Sequence, residues 1–199
     1  MKPVSLFKKL FYLSCTVFLS CTPSANKMFT LMPSRVTGIN FKNPLQETEQ
    51  FNVLNYGYLY NGGGVAIGDI NNDGLSDIYF TGNMVGSRMY LNQGNFKFKE
   101  IAQQAGVFAE GFWNTGTTMA DVNGDGLLDI YVCRSAASNP ENRKNLLFIN
   151  NGDLTFTEKA KEFGLDDSGY TTQGAFFDYD RDGDLDLYIL NHSTQEFAG

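Results

Sequence analysis

An acidic nine-residue loop occurs three times in this chain, and each copy leads directly into an apolar run. The copies are Asp69-Ile70-Asn71-Asn72-Asp73-Gly74-Leu75-Ser76-Asp77, Asp121-Val122-Asn123-Gly124-Asp125-Gly126-Leu127-Leu128-Asp129 and Asp178-Tyr179-Asp180-Arg181-Asp182-Gly183-Asp184-Leu185-Asp186. Three copies in one register require a repeated structural unit. Oxygen ligands at loop positions 1, 3 and 5 converge on one point, glycine at position 6 allows the sharp turn, and the position-9 carboxylate closes the shell. The position-7 carbonyl of Leu75, Leu127 or Asp184 completes the oxygen set expected for Ca²⁺. Without a cation the carboxylates repel, since two unit charges 4 Å apart cost about 4 kcal/mol at an effective dielectric near 20. About three structural calcium ions are expected, held by Asp69, Asn71, Asp73, Leu75 and Asp77, by Asp121, Asn123, Asp125, Leu127 and Asp129, and by Asp178, Asp180, Asp182, Asp184 and Asp186.

An EF-hand begins in the same way but needs a bidentate Glu at position 12 and helices on both sides. Position 12 here is Phe80, Val132 and Ile189, and the runs after the loops are short and rich in β-branched and aromatic residues. They read as strands. A second alternative, solvated acidic turns that bind nothing, leaves the carboxylates at alternating positions without a reason.

The loops are 52 residues apart from Gly74 to Gly126 and 57 apart from Gly126 to Gly183, a period suited to four short strands. The similarity extends beyond them. Residues 88–98 (RMYLNQGNFKF) match residues 146–156 (LLFINNGDLTF), each reading as strand, tight turn, strand. Phe98, Ala102, Gly106 and Val107 then match Phe156, Ala160, Gly164 and Leu165. One unit is a strand before the loop, a strand after it and a hairpin, which is a four-stranded antiparallel propeller blade.

With these residues the chain resembles the FG-GAP or VCBS-type repeat family, which includes bacterial multi-repeat lipoproteins and the calcium-bearing blades of integrin alpha subunits. The resemblance covers about residues 29–199 and implies an all-β propeller. Blade 1 is expected over 64–115, blade 2 over 116–173 and a truncated blade 3 over 174–199, after a segment, 29–63, in which residues 28–32 form a ring-closing strand. Family rings usually have more blades, so the resemblance implies an N-terminal fragment that needs missing C-terminal blades.

Residues 1–20 read as a signal peptide, with Lys2, Lys8 and Lys9 before an apolar stretch too short to span a bilayer, and 21–28 as a linker. Phe18-Leu19-Ser20-Cys21 resembles a bacterial lipobox, so Cys21 is the expected lipid attachment site and an outer-membrane lipoprotein the expected location. Loss of the leader would take the formal charge from -7 to -10, and 11 of the 22 acidic residues lie in the loops. Cys133 would then be the one unmodified cysteine, with no disulfide framework. An acidic mature surface disfavours nucleic acid, and membrane association runs through lipid alone.

In a blade the metal loops share one face with the turns between strands three and four. The other face is built by the loops between strands two and three and by those joining blades, with Phe112, Trp113 and Tyr170 as a candidate ligand rim beside Tyr58 and Tyr60. Burial between blades is the alternative for these rings. His192 is the single histidine, and no Ser/His/Asp set, HExxH or phosphate loop stands out. The expectation is therefore a non-catalytic exported module that binds protein or glycan. The alternative is a propeller enzyme acting on polysaccharide, with catalytic residues on the non-calcium face or in missing sequence.

Overall fold

The computed structural model describes residues 28–193; the leader, Cys21 and residues 194–199 lie outside the described residues. Ten strands form three antiparallel sheets. The first contains β1 (Val65–Gly68), β2 (Asp77–Phe80), β3 (Arg88–Asn92) and β4 (Phe98–Glu100), hydrogen-bonded in chain order. The second repeats that order with β5 (Trp113–Ala120), β6 (Asp129–Ser135), β7 (Leu146–Asn150) and β8 (Phe156–Glu158). The third pairs β9 (Thr171–Phe177) with β10 (Asp186–Asn191). Each acidic loop is thus the β1–β2 type turn of its blade.

The hydrophobic core lies between blades, and strand periodicity explains how one strand serves two cores. In β6, Ile130 and Val132 enter a cluster with Ile70, Tyr79, Met89 and Val107 of blade 1. The alternate residues Tyr131 and Cys133 enter a second cluster, packed against Phe176 and Leu187 of blade 3. Because side chains alternate across a strand, every residue of β6 is buried. By contrast β1 leaves Val65 and Ile67 exposed, and β10 leaves Tyr188 and Leu190 exposed. Tyr79 and Tyr131 occupy equivalent positions and donate to backbone carbonyls of their own blade tails, Val107 at 2.7 Å and Leu165 at 2.9 Å. Burial holds both phenols well above the usual tyrosine range.

Adjacent inner strands approach backbone to backbone where glycine leads into a blade. A Cβ on Gly64 would lie 2.7 Å from Thr117 N, and one on Gly116 would lie 2.4 Å from Thr172 O. Gly64 N donates to Thr115 O at 2.8 Å. The same position in blade 3 is Gln173.

The expected ring-closing strand is not formed, since residues 29–33 carry neither helix nor strand. Such a strand would complete the last blade of a ring, and blades 1 and 2 hold their own fourth strands, so neither offers it a partner. The second half of that pattern is real. Gly38 (φ 80) caps a single helical turn, α1 (Ser34–Thr37), as Gly106 (φ 79) caps α2 (Ala102–Ala105). A Cβ on Gly38 would lie 2.6 Å from Phe98 O, and one on Gly106 would lie 3.2 Å from Phe156 O. Each turn therefore rests on the outer strand of a blade, and α1 stands toward blade 1 as α2 stands toward blade 2.

Candidate metal loops and the opposite face

The first two loops have nearly identical hydrogen bonding. Asp69 accepts from the backbone N–H of Asp73 (3.1 Å) and Gly74 (2.7 Å), and Asp121 accepts from Asp125 (3.1 Å) and Gly126 (2.8 Å). Position 3 donates its amide to position 5, Asn71 to Asp73 at 3.0 Å and Asn123 to Asp125 at 2.9 Å. Position 6 is glycine at φ 84, 85 and 98 in the three loops, a backbone region that suits no other residue as well.

Position 9 is the structural anchor. Asp77 is buried and accepts from Ile70 N at 3.0 Å and Asn92 N at 2.7 Å; Asp129 accepts from Val122 N at 3.0 Å and Asn150 N at 2.8 Å. One carboxylate therefore ties its loop to strand two and to strand three. Burial raises both acids above their ordinary range, and the backbone hydrogen bonds offset part of that rise. The loops also bind neighbouring blades, since Asn72 donates to Gly126 O (3.0 Å) and Asn150 to Ile70 O (2.8 Å).

In the third loop Asp186 keeps the backbone bond, from Tyr179 N at 2.7 Å, while position 3 is Asp180 and has no amide to donate. Carboxylate oxygens of Asp178, Asp180 and Asp186 lie within 4.8 Å of one another. Oxygens bound to one Ca²⁺ at 2.3–2.6 Å can be no more than about 5 Å apart, so this donor set fits a calcium shell. Asp184 is raised chiefly by the charge of Asp182 beside it. Leu75, Leu127 and Asp184 all occupy position 7, where the turn carries the chain into strand two.

The opposite face is aromatic and rigid. Trp113 is 7% exposed and meets Phe51 and Tyr56 edge-on, with ring centroids 5.1 and 5.7 Å away. Phe112 lies under the Arg134 guanidinium (4.2 Å) and Tyr170 under that of Arg143 (4.1 Å). Burial brings Arg134 down to about 10. Of the three sequence-selected rim residues, the structure thus gives Phe112 and Tyr170 to arginine stacking and Trp113 to a buried cluster. Phe112 and Trp113 also line a cavity of about 520 Å³, with Phe51, Asn83 and Met84.

Sequence reasoning missed how His192 is held. Nδ1 lies 2.9 Å from Ser193 O, a carbonyl that can only accept, so Nδ1 carries the proton and Nε2 accepts from Ser135 Oγ at 3.0 Å. Ser135 in turn accepts from Tyr56 Oη at 3.2 Å. The ring of Tyr58 stacks on His192 at 4.0 Å. A signal was available in the repeat itself, because Asn83, Ser135 and His192 each stand fourteen residues after the first Asp of their loops. A second cavity, of about 270 Å³, is lined by the lead-in segments of three successive blades, at Gly62–Gly64, Thr115–Gly116 and Thr172–Gln173, together with Tyr56 and Tyr58.

The sequence profile of the FG-GAP-like repeat matches residues 69–132 and 135–189, which is more than half of the chain. The chain belongs to the FG-GAP-like repeat family. The first matched segment runs from the first acidic loop into β6 and the second from the end of β6 through the third loop into β10, and the four-stranded sheets are the β-propeller blades such repeats build. The chain is similar to cartilage acidic protein 1 of Xenopus tropicalis, 31% identical over 134 residues, covering 66% of this chain and 20% of that protein. It is also 31% identical over 102 residues to cartilage acidic protein 1 of Homo sapiens, covering 51% of this chain and 14% of that protein. The chain therefore spans about a fifth or less of these relatives. Among the described residues no helix is long and apolar enough to cross a membrane.

Proposed function

We propose that this FG-GAP-like chain is an exported, calcium-stabilised β-propeller module that binds a protein or glycan on the face away from its metal loops. The observation that carries the calcium reading is the convergence of Asp178, Asp180 and Asp186 in a loop whose position 3 is a carboxylate and not an asparagine amide. Mutual repulsion of such groups is relieved by a divalent cation, which then supplies cross-linking that disulfides do not. The exposed apolar residues on β1 and β10 support a longer ring in which further blades cover them. The leader and the lipobox-like Phe18-Leu19-Ser20-Cys21 support export and a lipid anchor at Cys21 on a bacterial outer membrane.

Binding is favoured over polysaccharide hydrolysis by the lining of the two cavities on the opposite face. Neither lining includes an acidic residue, whereas glycoside hydrolysis ordinarily uses a pair of carboxyl groups. The test is calorimetric titration of the full chain with CaCl₂, paired with melting in calcium and in chelator. About three ions and a melt that falls on chelation are expected; no heat and no shift would remove calcium from the reading.

A further inference from the structure

The cavity formed by the three lead-in segments is built as a ligand site. Its wall includes the rings of Tyr56, Tyr58 and Trp113, and its polar side chains are those of Asn61, Thr115, Thr172 and Gln173. Thr172 Oγ1 donates to Leu190 O at 3.0 Å and Gln173 Nε2 to Gly174 O at 3.2 Å, which leaves the side-chain oxygens of both to accept from a ligand. No charged side chain lines it. A ligand that suits these walls is uncharged, has an apolar face for the rings and hydroxyl groups at its edge for amides and hydroxyls. A pyranose ring has all three properties. At about 270 Å³ the space lies just below the range of drug-sized ligand pockets, roughly 300–1,000 Å³, so it suits a ligand as small as a single sugar unit.

Tyr58 is the prepared surface. Its ring stacks on His192 at 4.0 Å with the planes 27° apart, packs against the buried cluster of Tyr56, Leu59 and Trp113, and lines the cavity. His192 is itself fixed at both ring nitrogens, by Ser193 O and by the Ser135–Tyr56 chain. A platform already locked before binding loses little freedom when a ligand settles on it. The larger cavity beside it is a weaker candidate, since its wall is more apolar, with Met84, Ala136 and Ala137 beside Phe51, Phe112 and Trp113.

We infer that this cavity binds a neutral saccharide, with Tyr58 as the stacking platform and Asn61, Thr172 and Gln173 as hydroxyl partners. The inference rests on the proposed binding role and names the ligand class and the place. Trp113 is the chain's single tryptophan and lines the cavity, so its emission reports occupancy directly. The experiment titrates the calcium-loaded full chain with xylotetraose, maltotetraose and chitotetraose, and with tetragalacturonate as the charged counterpart, following Trp113 emission and heat. At least one neutral tetrasaccharide should bind and change the emission, and tetragalacturonate should not.

Tyr58→Ala should weaken that binding about tenfold, in line with loss of one aromatic contact, and Gln173→Ala should weaken it a few-fold. Both variants should remain folded in calcium by circular dichroism, with Tyr58→Ala melting somewhat lower because it gives up its contact with His192. Sugar binding that survives both substitutions, or tetragalacturonate binding as well as the neutral sugars, overturns this site while leaving a glycan-binding module in place. If none of the neutral sugars binds, the saccharide inference falls, and the independent calcium titration decides whether the module reading falls with it.

Discussion

The first two metal loops and the third have the same spacing but are held together by different forces. In blades 1 and 2 the position-3 asparagine donates to the position-5 aspartate, and the position-1 aspartate gathers backbone N–H groups. In blade 3 that asparagine is Asp180, so three carboxylates face one another across 4.8 Å. One amide for one carboxylate separates a loop that braces itself from one whose charge calls for a cation. The position-9 residues differ in the same sense, since Asp129 is fully buried with two backbone donors while Asp186 is only half-buried with one.

The sharpest way to break this comparison is to delete the anchors one at a time in chelator. Asp129→Ala leaves two backbone N–H groups without a partner and should cost about 3 kcal/mol by urea denaturation, whereas Asp186→Ala should cost about 1 kcal/mol or less. Equal losses would mean that the loops are held alike. Next in size is the calcium term. With the ion at about a hundred times its Kd, occupancy of loop three should add about 2.7 kcal/mol to the parent protein, and Asp186→Ala should abolish that increment.

A smaller and more specific test exchanges the distinguishing residue. Asp180→Asn should raise calcium-free stability by about 0.5 to 1 kcal/mol while weakening the third ion, and Asn123→Asp should do the reverse in loop two. The smallest effect is on proton uptake. Asp129 is raised by burial and Asp184 by the charge of Asp182. For an acid whose folded value is raised, the stabilising contribution is complete below the unfolded value, near about 4, and is lost as pH rises through the folded value. Calcium-free protein should therefore lose this contribution between those values as pH rises. Carboxyl-carbon NMR should find that added salt brings Asp184 down and leaves Asp129 raised, because salt screens exposed charges and not burial.

The blades were legible in the sequence because their causes are local. Glycine at position 6, alternating carboxylates and the matching hairpins at 88–98 and 146–156 sit at fixed distances along the chain. The strand expected over 28–32 is not seen among the described residues: the pattern Phe29 to Ile39 matches the tail of a repeat, and its glycine and helical turn carry that resemblance without any strand. The site on the opposite face was least legible. Ser135, His192 and Tyr56 are brought together from three distant segments, and no short-range pattern states that Tyr58 rests on His192 or that Phe112 and Tyr170 lie under arginines. The buried arginines were also hidden, because each is satisfied by backbone carbonyls, an amide or an aromatic face in place of a carboxylate.

Gly64 and Gly116 have a further consequence. At Gly64 the inner strand of blade 1 meets only main chain of blade 2, at Thr115 O, Gly116 Cα and Thr117 N, so the approach of those two strands at that point is set by backbone. At Gly116 the neighbour is both main chain, Thr172 O, and the side chain of Gln173, whose Oε1 would lie 1.9 Å from an added Cβ. The seam between blades 2 and 3 is thus fitted to one particular side chain and is addressed, where backbone meets backbone in the seam between blades 1 and 2.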